Sequence, residues 1–282
     1  MQYKKLFFPI GGGDELKQRI NGALIVAKYF NAHLEILKSN AKPSKIMSFD
    51  KSLSESLLKD LNALARKQMD DEAHIHDVIF KKISDNLDIK VSKKPIKGKT
   101  TAYIKTKDGY RSKLIEKYSK YCDLVIISSP TNGRMTATFE ATVSKSGKPA
   151  LMIPRKMKSF KIDKVLIGWN NSIEVSRAVS LSIDILKQAK EVHIITSKEY
   201  AKDKKDMEKL KEYLMCHNIK ATSQMVKTTR TPGEALLREA KDKNSDLIIA
   251  GALGHKGFRE LMFGGATQYI LEHSDIPVFM SQ

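Results

Sequence analysis

The residues best equipped for chemistry lie near the C-terminus, in Asp246-Leu-Ile-Ile-Ala250-Gly251-Ala-Leu-Gly254-His255-Lys256-Gly257-Phe-Arg-Glu-Leu-Met-Phe-Gly264-Gly265-Ala266-Thr267. The run Leu247 to Ala250 is short and apolar, the length of a buried strand. Glycine at such a strand's carboxyl end lets backbone come close to a ligand and frees N–H groups to point at it. Gly264-Gly265-Ala266-Thr267 then opens a helical pattern. A helix start of this kind offers unpaired N–H donors, a partial positive charge and a hydroxyl, which together make a phosphate cradle. His255 and Lys256 are placed to face phosphate or simply to be solvated. Two glycine clusters at fixed spacing, each beside a strand or helix end, point to a nucleotide site.

The elements that must position these residues repeat along the chain. Lys5-Leu-Phe-Phe-Pro-Ile10 is echoed by Lys164-Val-Leu-Ile-Gly168, Asp123-Leu-Val-Ile-Ile127 by Asp246 to Ala250, and Lys148-Pro-Ala-Leu-Met-Ile153 by Ile276-Pro-Val-Phe-Met280. Each half begins with a strand, has a penultimate strand introduced by Asp, and ends with one introduced by Pro. Two copies of one α/β domain explain this, 1–155 and 160–282, with a polar link near Arg155 to Ser159. The second copy reads as strands at 163–168, 191–196, 220–227, 247–250 and 276–280, with helices between them. Ser172 is a candidate N-cap for a helix continuing to Leu186. Thr231-Pro232-Gly233-Glu234 is a capping box with Pro at the first helical position. Five strands alternating with four helices predict a doubly wound parallel sheet that binds ligand at the strands' carboxyl ends. The first copy carries a helical insertion over about 48–86, with Leu53, Leu57, Leu61 and Leu64 on one stripe, read as core or a packing surface.

Gly254-x-x-Gly257 apart, the spacing Gly251-x-x-Gly254, nine residues, then Gly264 and a small residue resembles the ATP-binding signature of the universal stress protein family. Gly265 stands where that family usually has Ser or Thr. The resemblance covers residues 162–280 strongly and 1–155 weakly. It implies two tandem five-stranded sheets of strand order 3-2-1-4-5, with ATP between the ends of strands 1 and 4 and Mg²⁺ carried by its phosphates. Ala250, Gly251 and Gly254 would line the ribose and inner phosphates; His255, Gly264, Gly265, Ala266 and Thr267 would hold the outer ones. Gly168, Trp169 and Asn170 would lie at the adenosine, with Asn170 in place of the family's acidic residue. Trp169, the chain's one tryptophan, could flank the base or fill core. The first copy has Ser128-Ser129-Pro130-Thr131-Asn132-Gly133 and Phe139-Glu140-Ala141-Thr142 in place of the glycines, so it is expected not to take ATP in the family manner. Gly11-Gly12-Gly13 lacks the Lys-Ser/Thr of a Walker loop. The resemblance further implies an internal pseudo-dimer, residues 149–153 against 276–280, with a homodimer as a further option.

Composition narrows the rest. The net charge is +18, but lysine dominates it and is spread over every element. Bidentate phosphate and base contacts favour arginine, so a nucleic-acid partner is not expected. No run of about 18 apolar residues occurs, so no membrane span is expected. The start reads as a strand rather than a signal peptide, and Cys122 and Cys216 are unpaired by spacing, which fits a reducing cytoplasm. No catalytic constellation is visible. His74-x-His76 has metal spacing without a third ligand and reads as a charged helix face. The resulting expectation is a stress-response or signalling module binding an adenine nucleotide and an unidentified protein partner. A slow ATPase and a nucleotide-independent scaffold are the alternatives.

Overall fold

The computed structural model describes residues 3–11, 15–40, 55–197, 205–227, 231–253 and 266–282. The strands are β1 (Lys5–Ile10), β2 (His33–Asn40), β3 (Lys90–Val91), β4 (Thr101–Asp108), β5 (Leu124–Ser128), β6 (Ala150–Ile153), β7 (Lys164–Gly168), β8 (Glu191–Ser197), β9 (Ala221–Val226), β10 (Leu247–Gly251) and β11 (Val278–Ser281). The helices are α1 (Leu16–Tyr29), α2 (Glu55–Asn86), α3 (Arg111–Tyr118), α4 (Ala137–Lys145), α5 (Ile173–Leu181), α6 (Ile183–Leu186), α7 (Lys205–Cys216), α8 (Pro232–Asp242) and α9 (Ala266–His273). The strands are short continuous apolar runs because helices cover both faces. β1 is buried from Leu6 to Ile10, and β5 and β10 bury every residue but the last. Such runs fit parallel strands rather than half-solvated ones.

Among the described residues the eleven strands form one sheet, ordered β3-β4-β2-β1-β5-β6-β11-β10-β7-β8-β9. The α/β class holds, but two separate five-stranded sheets do not. The order 3-2-1-4-5 is present twice, as β4-β2-β1-β5-β6 and as β9-β8-β7-β10-β11. β3 adds an outer strand beside β4, and the halves join where β6 and β11 pair antiparallel, Met152 opposite Val278 and Ala150 opposite Met280. All other pairs are parallel. The physical reason is an edge: β6 and β11 are buried along their whole length, and a fully apolar edge with unpaired backbone groups must be covered. Each covers the other. Side chains seal the join. The Tyr3 hydroxyl donates to the Leu181 carbonyl at 2.6 Å, and the rings of Tyr29 and Phe160 meet edge-on at 5.1 Å.

The repeated Asp has a structural cause. The Asp123 carboxylate accepts from the Lys4 and Lys5 N–H groups, and Asp246 accepts from the Lys164 N–H at 3.0 Å. Each Asp pins the start of its half's first strand and thereby sets the register of β1 with β5 and of β7 with β10.

Three expectations need correction. The helix after Ser172 does not run unbroken to Leu186. It stops at the fully buried Ser182, whose hydroxyl donates back to the Val179 carbonyl at 2.9 Å, a local bond that competes with the helical ladder. The insertion's leucine stripe is not core either: Leu57 and Leu64 are 44% and 56% exposed, and Leu53 lies outside the described residues. α2 is anchored instead near its end, where Phe80 and Ile83 join the main core. Nor is His76 on a solvated face; it is buried. Among the described residues no helix is long and apolar enough to cross a membrane, and Cys122 and Cys216 are free.

Candidate functional site

The chain folds back at β7 and β10. Strands β8 and β9 lie to one side of β7, and β11 lies beyond β10. Crossovers therefore leave in opposite directions at this point, and a crevice opens at the carboxyl ends. A cleft with a cavity volume of about 100 Å³, open to solvent, occupies it.

Of the expected site residues, Gly168, Trp169, Asn170, Ala250, Gly251, Ala266 and Thr267 line this one cleft. Gly254, His255, Gly264 and Gly265 lie outside the described residues. Ile195, Thr196, Ser197, Val226, Pro232, Ala235, Leu236 and Ile270 complete the wall, and sequence reasoning missed them. A signal was available: Thr196-Ser197 closes an apolar strand pattern at its carboxyl end, where this fold presents ligand groups.

Local structure explains each position. At the end of β7 the chain turns through Asn170, whose side-chain oxygen accepts from the Ser172 N–H at 3.2 Å, and Asn171, which has φ 58°. Asn tolerates that left-handed conformation better than most residues. Ser172 then caps α5 by accepting from the Val175 N–H at 3.3 Å. The capping oxygen of Asn170 is thus engaged within the loop, leaving its amide N–H₂ for any ligand. Thr231 caps α8 as expected, accepting from the Glu234 N–H at 3.2 Å, with Pro232 opening the helix.

Two of the glycines also meet a packing demand. A Cβ at Gly251 would lie 2.7 Å from the Val175 backbone nitrogen, and one at Gly168 would lie 2.9 Å from Leu236 Cδ1. α5 sits directly on the end of β10, so Gly251 is needed for that helix–strand contact, while the Leu236 side chain can give way at Gly168.

The polar groups of the cleft are unusual. Trp169 packs its ring against the main core and also lines the cleft. Its indole N–H is buried and has no partner among the described residues. The hydroxyls of Thr196 and Ser197, at 3% and 7% residue exposure, are likewise buried and unpartnered. Leaving such a group unpaired costs about 1–3 kcal/mol. Three of them around one cleft make a donor and acceptor set that awaits a polar ligand. The walls are otherwise apolar or neutral, suited to a flat uncharged ring system, and α9 begins at Ala266 with its first N–H groups at the rim. Among the described residues no cluster of His, Cys, Asp or Glu could hold a metal ion.

Comparison with known proteins places this geometry. The universal stress protein family model matches residues 183–282. The chain is 26% identical over 150 residues to universal stress protein Slr1230 of Synechocystis sp., a match covering 52% of this chain and 51% of that relative. The match thus spans about half of that relative's own length. It is 27% identical over 74 residues to universal stress protein Slr1101 of the same organism, covering 26% of this chain and 67% of that one. The crystal structure of a universal stress protein from Archaeoglobus fulgidus has the same fold end to end, with a TM-score of 0.67, 16% identity, and coverage of 100% and 99%. The chain is thus similar to universal stress proteins in sequence over residues 183–282, and it shares the fold of one along its whole length.

Proposed function

We propose that residues 160–282 form an adenine-nucleotide-binding domain that holds ATP in the cleft between β7 and β10. Residues 1–155, with the insertion, would form a second, degenerate domain that does not take ATP in that manner. The observation that carries this reading is the convergence of seven expected residues on one cleft that also bears three buried, unpartnered polar groups. The apolar wall of Val226, Ala235 and Leu236 suits an adenine ring. The Trp169 N–H and the Thr196 and Ser197 hydroxyls suit its edge and ribose. The start of α9, with Thr267, suits phosphate through backbone N–H groups and a hydroxyl. Mg²⁺ would arrive on the nucleotide's phosphates. The similarity to universal stress proteins supports a stress-response role, exerted by nucleotide-dependent contact with a protein partner.

The test is nucleotide content. Protein purified gently and then denatured should release close to one ATP or ADP per chain, identified by mass spectrometry. Stripped protein should bind ATP by calorimetry with a stoichiometry of one. Two nucleotides per chain would overturn the reading of the first half. None, with no calorimetric binding, would overturn the assignment of the cleft.

A further inference from the structure

The first half presents different chemistry at the same place. Strand register fixes the correspondence. Lys5 pairs with His33 as Lys164 pairs with Glu191, and the two Asp anchors match. Counting along the strands puts Lys38 where the second half has Thr196, Ser39 where it has Ser197, Gly11 where it has Asn170, and Ser128 where it has Gly251. One neutral group, Thr196, is thus replaced by a cation, Lys38, and a second cation, Arg111, sits against Gly11.

Arg111 is the centre of this change. It is the first residue of α3, and a Cβ at Gly11 would overlap its guanidinium. Its Nε donates to the Ser39 hydroxyl at 3.4 Å, and among the described residues no carboxylate pairs with it. Burial alone pulls its pKa below the ordinary value. From the other side Arg19 donates to the Gly11 carbonyl at 3.1 Å. Close to Arg19 lie the buried Lys38 and the buried His76, whose Nδ1 has no partner. Arg19 and Lys38 make further contacts of their own; among the described residues the Arg111 side chain bonds to Ser39. Ser128, at the end of β5, holds a buried hydroxyl without a partner.

Folding does not explain Arg111. A guanidinium stays protonated in proteins, so it cannot relieve its desolvation by losing charge. Withdrawing an unpaired cation from water is costly. A cation in a helix's first turn also opposes the helix dipole, and the preceding Tyr110 supplies no side-chain cap. What a planar five-donor fork beside hydroxyls does well is grip a tetrahedral oxyanion. The chain's net charge of +18 would draw such an anion in.

We propose that the first half, at the carboxyl ends of β1, β2 and β5, binds a phosphoryl oxyanion through Arg111, with Ser39 and Ser128 as hydroxyl partners, and excludes a nucleoside. The guanidinium fills the space against Gly11, the position that corresponds to Asn170, so the first site takes the anion without the base.

Inorganic pyrophosphate added to the full chain in phosphate-free buffer is the probe. At about a hundredfold excess over Kd it should raise the melting temperature by about 5 °C. Arg111→Met should lose at least tenfold in pyrophosphate affinity and melt no lower than wild type without the anion, because a costly unpaired charge is gone. A residue serving only as structural filler would instead melt lower when replaced. Unchanged affinity in Arg111→Met, or no wild-type binding of phosphate or pyrophosphate, overturns the proposal. Should Arg111→Met fail to fold, Arg111→Lys keeps the charge without the fork. It should bind pyrophosphate several-fold more weakly, and unaltered binding would equally overturn the proposal. Competition separates the sources. Displacement of pyrophosphate by ATP but not by adenosine marks a nucleotide's phosphate tail, and displacement by neither marks a free oxyanion. Both support the oxyanion site, whereas displacement by adenosine sinks it. Nucleotide binding at the second cleft is read on different variants, so either assignment can fail alone.

Discussion

Thr196 and Ser197 are the residues that best distinguish a binding cleft from a packing defect. Their hydroxyls are buried and unpartnered, so each weakens the empty protein and gains only when a ligand supplies a partner. Thr196→Val keeps shape and removes the hydroxyl. The empty protein should then be slightly more stable in a urea melt, while ATP affinity falls about five- to tenfold, the equivalent of one ordinary hydrogen bond. A variant that lost stability and kept ATP affinity would assign Thr196 to folding alone. Thr267 carries a separate expectation. Its hydroxyl adds to backbone donors that remain in its absence, so Thr267→Ala should weaken ATP binding without abolishing it.

At the scale of elements, the second cleft is shaped by how closely two helices sit on two strand ends. α5 rests on β10 through Gly251, and α8 rests on β7 through Gly168. A methyl group at Gly251 meets backbone at 2.7 Å, and backbone yields less readily than a side chain. Gly251→Ala should therefore displace the start of α5 and destabilise the fold by about 1–3 kcal/mol. Thr231→Ala, which removes only the α8 cap, should cost about 1 kcal/mol. Denaturant midpoints of the two variants would check the ranking, and a harmless Gly251→Ala would mean that α5 is free to shift. α9 links the halves: the Gln268 amide donates to the Gly133 carbonyl of the first half at 2.9 Å, one residue along from the Thr267 that lines the cleft.

The whole molecule is a basic chain folded into one sheet, and its histidines set its response to acid. His33, His76 and His193 have lowered pKa values. Burial is the leading cause, with Lys5, Lys38 and Lys243 respectively adding to it. Below the ordinary value of 6.5 the unfolded chain takes up protons at these sites while the native chain still resists them. Stability then rises with pH across that window. The protein should be fully stable above about pH 7 and lose stability progressively as pH falls from about 6.5. His76→Gln should flatten part of that slope. A stability profile level down to pH 5 would contradict the burial of these three rings.

The α/β class, the repeat, both helix caps and most of the cleft's named residues were legible because they rest on local rules. Strand runs need apolar residues, caps need Ser or Thr, and ligand loops need glycine at a strand's end. The pairing of residues 149–153 with 276–280 followed from a fold-level expectation, and β6 and β11 meet there. What could not be read depended on contacts between distant segments. Leu57 and Leu64 have the spacing of core but are exposed, while His76, on the same helix, is buried. Gly251 looks like a ligand residue and is also required by Val175. Arg111 reads as one more surface cation among many, and only the return of β4 past β1 and β2 sets it against Gly11. Sequence by itself determined which segments become strands and helices, since propensity, capping and periodicity act within a few residues. Tertiary structure decided which polar groups are left without water or partner, because desolvation is a property of everything that surrounds an atom.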